Sequence, residues 1–281
     1  MDKLTIKNLC KHYQNFDIDN VSLSIPSGSV VGLIGENGAG KSTIIKSILG
    51  ITKIDGGEIA FNGTDIRNLS KEEKQKIAFV LDDSGLPQNL DLKTMNKMFS
   101  SIYSTWNVNL FNEYVQKFNL PNDKEHSKFS KGMKMKVALA VAFSHESELL
   151  ILDEPTSGLD PVVRDEILEL LYDYCKDDKA IIISSHITSD LEKICDYVIY
   201  VHNGKVVMSE QKDELLQKYA IYQLDKKQLL ELQPQAVSRV LKKEFVMEAL
   251  ALKERMPKDF DYRPIVLDDI MLFYSKGEKL C

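Results

Sequence analysis

Two short stretches hold residues whose types and spacing suit phosphate chemistry. In Val30–Thr43, "VVGLIGENGAGKST", an apolar strand-like run ends in a glycine-rich turn with Gly35, Gly40, Lys41 and Ser42 at GxxxxGK[ST] spacing, and a helical pattern follows from Thr43. Glycines at those positions let the backbone wrap a phosphate chain, so that successive N–H groups and a helix start point at its oxygens. Asn37, Gly38, Ala39 and Thr43 complete the same loop. Lys41 is placed to neutralise the terminal phosphates, and the Ser42 hydroxyl to hold Mg2+. In "LLILDEP" a buried-strand run delivers Asp153 and Glu154 at its C-terminal end, the end at which open α/β sheets bind ligands. Asp153 suits the metal, and Glu154 suits polarising water as a general base. Alone, such a pair is more often a helix or turn cap than a catalytic pair; together with a phosphate loop it reads as catalytic. His186 closes "IIISSH"; alone it is an ordinary polar residue at a sheet edge, and beside the acids it is a candidate γ-phosphate contact.

Positioning these groups requires a sheet. Strand-like runs open the chain at Leu4–Leu9, Ile18–Ile25, Ser29–Gly35 and Gly57–Gly63. From Ser70 to about His145 the pattern is mostly helical, interrupted at "LDDSGLPQNL" and "LPNDKEHSKFS". Three buried-strand candidates, "ELLILDE", "KAIIISSH" and "DYVIYVHNGKVVMSE", then alternate with helical stretches at Pro161–Lys176 and Thr188–Cys195. That alternation predicts a parallel sheet with crossover helices, and Asn203-Gly204 predicts a closing hairpin. After "KDELLQKY" the composition changes, and Tyr219–Cys281 reads as a small separate unit of strand, helix, two strands and helix.

Composition excludes several classes. With 42 acidic against 36 basic residues the net charge is −6, unlike a surface built wholly for nucleic acid. The four cysteines have neither metal-ligand nor disulfide-framework spacing, which fits a reducing cytosol. "MDKLTIKNLC" lacks the pattern of a secretory signal, and no apolar run nears the roughly 20 residues of a membrane-spanning helix. Membrane work would pass through a partner.

Over roughly Leu4–Glu210 the chain resembles the ATP-binding-cassette (ABC) ATPases, with "GENGAGKST", "FSKGMKMK", "LLILDEPTSGLD" and His186 in family order. The resemblance implies an α/β, P-loop NTPase fold of ABC type: a mixed or parallel sheet core, an antiparallel β-subdomain and a helical subdomain. Residues 1–215 would form the ATPase domain, with its helical subdomain at about 86–145, and 216–281 a small C-terminal α/β extension. It further implies ATP and Mg2+ as cofactors and an adenine-stacking role for Tyr13. Two subunits, in a homodimer or a heterodimer with a second ABC ATPase, would pack head to tail, so that the signature loop of each caps ATP on the other. Phe129, Ser130, Lys131, Gly132 and Met133 occupy the signature positions, usually LSGGQ; Ser130 and Gly132 match. Ser130, Gly132 and Lys131 would then reach the partner's ATP, and Asp160 in "SGLD" would couple the two sites, although Asp160-Pro161 is equally a helix opening. Where the family usually has a metal-touching Gln stands Asp82, or Asp83 if the register shifts by one.

The wording around "FSKGMKMKVALAVAF" is similar to ABC-2-type exporter ATPases of Gram-positive bacteria, including those for phenol-soluble modulins and antimicrobial peptides. It implies a cytoplasmic motor, peripheral on the inner face of the membrane, driving a transmembrane permease that exports amphipathic peptides, drugs or similar molecules. The Phe99–Trp106 aromatic stretch is either a docking surface for that permease or a core-facing helix. An ABC ATPase acting on nucleic acid or ribosomes is a competing reading that the acidity and the absence of a second cassette disfavour. A low-activity nucleotide-dependent regulator is another, and Glu154 speaks against it.

Overall fold

In the computed structural model, residues 2–81, 85–175, 178–243 and 246–279 are described; Asp82 and Asp83 lie outside them. The first half of the chain runs β1 (Asp2–His12), β2 (Asp17–Pro26), β3 (Val30–Ile34), α1 (Lys41–Ile48), β4 (Gly56–Phe61), β5 (Thr64–Asp65), α2 (Lys71–Gln75), β6 (Ile77–Val80), α3 (Leu92–Ile102), α4 (Val108–Lys117) and α5 (Lys131–Phe143). The second runs β7 (Leu149–Asp153), α6 (Pro161–Tyr174), β8 (Ala180–Ser185), α7 (Thr188–Ile194), β9 (Tyr197–His202), β10 (Lys205–Gln211), α8 (Lys212–Lys218), β11 (Tyr219–Leu224), α9 (Lys226–Glu231), β12 (Val237–Lys242), β13 (Met247–Leu252), β14 (Tyr262–Pro264) and α10 (Leu267–Lys276).

Among the described residues the strands make three sheets, ordered β2-β1-β4-β5, β10-β9-β3-β8-β7-β6 and β12-β13-β11-β14. In the central one β3, β6, β7, β8 and β9 run parallel, while β10 turns back on β9. Asn203 and Gly204 both have left-handed φ at that turn, as a two-residue hairpin with matching twist requires. Every residue of β3, β7 and β8 is buried, as expected of parallel strands covered on both faces.

Side chains alternate between those faces. Val31, Leu33, Leu149, Ile151 and Ile182 meet Ile44, Ile45 and Ile48 of α1 and the antiparallel sheet. Val30, Ile34, Leu150, Leu152, Ile181 and Ile183 meet α5, α6 and α7 on the other face. Helices α3, α4 and α5 share a further core of Met95, Phe99, Phe111, Val137 and Val141.

The structure departs from the sequence expectation in one place and bears on a choice left open in another. Within the nominally helical Ser70–His145 stretch, Ile77–Val80 is a strand, parallel to β7, with Ala78 and Val80 buried and Phe79 exposed. Four residues beside charged helical sequence are too few for a two-residue period to stand out. The Phe99–Trp106 aromatics are spent on packing: Phe99 stacks on Trp106 and Tyr103 on His145, and Trp106 Nε1 donates to Asn96 Oδ1 at 2.7 Å. The rings thus pack inward, while Ser100, Ser101 and Ile102 between them are exposed.

The C-terminal sheet keeps a small core of its own around Ala220, Tyr222, Val237 and Ala249. Ile221, Leu250, Ile265, Leu267, Ile270 and Phe273, however, belong to the same cluster as Leu150, Ile181 and Tyr200. Position 215–216 falls inside α8. Because Phe273 is fully buried in that shared core, Phe273→Ala should cost about 3–5 kcal/mol of global stability. Urea unfolding followed by the sole tryptophan, Trp106, checks this; an unmoved midpoint would mean the C-terminal unit unfolds independently.

Candidate active site

Strand order brings the chemistry together. β8 lies between β3 and β7, with Ile34 opposite Ser185 and Asp153 opposite Ser184. The loop after β3, the acids ending β7 and His186 after β8 therefore meet at one edge of the sheet, as the switch-point rule for open α/β sheets requires. A cavity of about 550 Å3 opens there, lined by Phe16, Glu36 to Thr43, Glu154, Ser157 and His186.

The phosphate loop is braced from below. A Cβ at Gly35 would lie 2.4 Å from Val201 O of β9. Gly40 has φ 111°, and a Cβ there would meet Ile18 Cδ1 at 2.5 Å and Phe16 at 3.0 Å; only glycine fits both positions. The β9–β10 turn completes the support, with Gly204 N donating to Ala39 O at 3.0 Å.

Lys41 is buried, and its Nζ donates to Gly35 O at 2.7 Å and Glu36 O at 3.2 Å. The same ammonium lies 3.5 Å from Glu154 Oε1. The other oxygen, Glu154 Oε2, accepts from His186 Nδ1 at 2.7 Å and from His186 N at 3.3 Å. One carboxylate thus bridges the loop cation and the histidine. Glu154 sits at φ 52°, a left-handed conformation costing a non-glycine residue about 1–2 kcal/mol. The neighbouring strand holds it there: Glu154 N donates to Ser184 Oγ at 3.0 Å and Ser184 O at 3.2 Å. Such a turn directs adjacent carboxylates to different partners, a use of backbone strain typical of functional sites.

Asp153 takes the other direction. Its Oδ1 accepts from Ser42 Oγ at 3.2 Å and from Ser184 Oγ at 2.6 Å. Ser42 and Asp153 are hard oxygen donors side by side at the loop, which suits Mg2+ held by one or two protein groups and completed by phosphate oxygens and water.

Not every sequence candidate is here. Tyr13 stands 47% exposed, with its N donating to Phe16 O in the β1–β2 turn, and Phe16 rather than Tyr13 lines the cavity. Ser130, Lys131, Gly132 and Asp160 are also absent from the lining. Ser130 caps α5, its Oγ accepting from Met133 N at 3.2 Å. Asp160 caps α6, accepting from Val162 N and Val163 N at 3.2 and 3.1 Å. The two caps are neighbours: a Cβ on Gly132 would lie 3.3 Å from Val163 Cγ1, and one on Gly158 would lie 3.3 Å from Lys131 Nζ.

The remaining lysines of this stretch have local partners. Lys134 donates to Gln88 Oε1 at 3.2 Å and Lys136 to Glu166 Oε2 at 2.5 Å, which relieves the unfavourable placement of cations near a helix N-terminus. Below the segment His126 is fully buried against Phe129; burial, with Lys134 nearby, pushes its imidazole pKa down.

A glycine loop after a central strand, acids on the next strand but one and an inserted helical subdomain together define a nucleotide-hydrolysing α/β protein. The family model described as ABC transporter matches residues 18–157. The lantibiotic transport ATP-binding protein SrtF of Streptococcus pyogenes is 36% identical over 213 residues, 75% of this chain and 91% of that protein. The bacitracin transport ATP-binding protein BcrA of Bacillus licheniformis is 33% identical over 213 residues, covering 74% and 70%. A solved ATP binding subunit of an ABC transporter superposes with TM-score 0.70 at 30% identity, covering 76% of this chain and 92% of its own. The chain belongs to the ABC transporter ATP-binding family. It is an ATP-binding, ATP-hydrolysing subunit whose work is transport.

Ser184 and Phe16 are site residues that the sequence reading passed over. The signal for Ser184 was two hydroxyls ending an apolar run in "AIIISSH"; Phe16 had none beyond an aromatic near Tyr13. Ser184→Ala removes the group that holds both Asp153 Oδ1 and Glu154 N. Asp153 Oδ1 keeps Ser42 and Glu154 N keeps the Ser184 carbonyl; with one hydrogen bond of about 0.5–1.5 kcal/mol lost at each, kcat should fall about 10- to 100-fold with a raised Mg2+ requirement, measurable by steady-state ATPase assay across a Mg2+ titration.

Proposed function

We propose that this chain is the motor subunit of an exporter, working as a head-to-tail pair on a transmembrane permease and moving amphipathic peptides or similar molecules out of the cell. The observation that carries it is the convergence of Lys41, Ser42, Glu154 and His186 on one cavity, with Asp153 bonded to Ser42 behind its wall and the capped N-terminus of α5 outside the lining. A second subunit, another copy of this chain or a different ABC ATPase, would then cover the exposed side of the nucleotide; a second copy would do so with Ser130, Lys131 and Gly132, and Asp160, beside them, would link the two sites. The peptide-export reading is supported by the lantibiotic and bacitracin transport named for SrtF and BcrA. No described helix is long and apolar enough to cross a membrane, so attachment at the inner membrane face would run through the permease. The net charge of −6 disfavours nucleic acid as a partner.

In this reading the loop N–H groups of Asn37 to Thr43 and Lys41 bind the phosphates, and Tyr13 stacks on the adenine. Ser42 and Asp153 would hold Mg2+, which when bound would offset phosphate charge; Asp82 or Asp83 is the further candidate ligand. An entering γ-phosphate competes with Glu154 for Lys41, freeing that carboxylate to take a proton from water. The water oxygen bonds to the γ-phosphorus as the bond to the β–γ bridging oxygen breaks, leaving ADP. Glu154 accepts through Oε2, so His186 carries a proton on Nδ1; a hydrogen bond from Nε2 to the phosphate requires that nitrogen to be protonated as well. Residues 1–215 are the proposed ATPase domain, with the helical subdomain at about 86–145, and 216–281 the proposed extension.

Glu154→Gln should lower kcat at least about 100-fold while retaining ATP affinity; equal rates in wild type and variant remove Glu154 as the base. In a Glu154→Gln background, light scattering with ATP should report a dimer that Ser130→Arg abolishes without loss of monomeric ATP binding. A dimer surviving that change makes the α5 terminus plain surface.

A further inference from the structure

Helix α10 connects the C-terminal sheet to the nucleotide site at both of its ends. Its first turn is bound to that sheet through Asp269, which accepts from the two terminal guanidinium nitrogens of Arg263 at 2.8 and 2.7 Å. Past its C-terminus, Glu278 and Val240 of β12 exchange backbone hydrogen bonds at 2.9 Å, and Arg239 lies over the Tyr274 ring at 5.0 Å. Leu267, Ile270 and Phe273, spaced for one helical face, are buried in the core of the ATPase body. Packed this way, the helix is part of the folded body rather than a tethered tail.

The polar residues at its two ends reach two different loops of the active site. Near its N-terminus, Asp268 accepts from the hydroxyl of Thr188, a buried residue two positions after His186, and Leu267 N donates to Glu192 Oε1 of α7 at 2.5 Å. In its last turn the Ser275 hydroxyl donates to the Glu36 carboxylate, a contact spanning 239 positions of sequence. Glu36 is the loop residue whose carbonyl accepts from Lys41. Between the two ends, Tyr200 of β9 packs on Tyr274 at 5.5 Å, and the next carbonyl, Val201 O, is the one pressed against Gly35. Asp268 and Ser275 lie seven residues, roughly 10 Å, apart along the helix.

We propose that Ser275 and Asp268 are positioning residues for ATP binding and turnover, through which the C-terminal unit sets the geometry of the phosphate loop and of the His186 segment. The inference rests on the reading of this cavity as the ATP-hydrolysing site. The two ends act on different steps. Ser275 orients Glu36 and with it the carbonyl that holds Lys41, so its loss weakens nucleotide binding. Asp268 anchors the start of α7 behind His186, so its loss slows turnover.

The test uses the full chain and four variants, Ser275→Ala, Ser275→Thr, Asp268→Ala and Asp268→Asn, reading KM, kcat, melting temperature and the Kd of N-methylanthraniloyl-ATP. Loss of one such hydrogen bond should raise KM and Kd about 3- to 10-fold in Ser275→Ala with kcat little changed. The same magnitude should appear in kcat, with KM unchanged, in Asp268→Ala. Threonine at 275 and asparagine at 268, which keep the donor and the acceptor, should restore the respective constants, with melting temperatures within about 2 °C of wild type throughout. Unchanged constants in both alanine variants, or a common loss tracking a lower melting temperature, would overturn the proposal. A wild type that binds the fluorescent nucleotide without turning ATP over would instead overturn the hydrolytic reading of the site, and the Kd of Ser275→Ala would still decide the role of Ser275.

Discussion

The insertion of β8 between β3 and β7 is the constraint on which the rest of the structure depends. Parallel strands need crossover connections, so the three C-terminal ends that form the site come from distant parts of the chain: Ser42 and Asp153, in hydrogen-bond contact, are 111 positions apart. With β8 in the middle, Ser184 lies opposite Asp153 and Ser185 opposite Ile34. An order that separated β8 from β7 would leave His186 out of reach of Glu154. Burial on both faces fixes the register, because a one-residue slip would exchange the side chains facing α1 with those facing α5 and α6.

Within that frame the site is organised around a single strained residue. Glu154 departs from the strand in a left-handed turn, and two hydrogen bonds to Ser184 hold it there. The turn lets adjacent acids face different partners, Asp153 toward Ser42 and Glu154 toward Lys41 and His186. A buried lysine is costly without partners, and here carbonyls and a carboxylate surround it. Phosphate binding would therefore exchange one set of anionic and dipolar partners for another.

At the lysine-rich start of α5, Gln88 and Glu166 engage two of the cations within the chain. What remains distinctive is the helix terminus itself, capped by Ser130 and packed through Gly132 against Val163 of α6. Its closeness to the Asp160 cap ties two segments that are separate in sequence into one surface. The C-terminal residues show the same principle on a larger scale, since an apparent appendage contributes Leu267, Ile270 and Phe273 to the core beneath the central sheet.

The sequence by itself determined the chemistry and most of the elements. Phosphate binding needs consecutive N–H groups followed directly by a helix, so Gly35 to Thr43 announce it locally; buried parallel strands announce themselves as apolar runs, so β3, β7, β8 and β9 were legible, as was the Asn203-Gly204 hairpin. Only the tertiary structure decided the rest: the order of those strands, the strand at Ile77–Val80, the role of Ser184 behind both acids, the place of Phe16 at the loop and the docking of α10. Each depends on which distant surfaces pair. Long-range pairing is selected by the fit of whole faces, and that fit leaves no local period or motif to read.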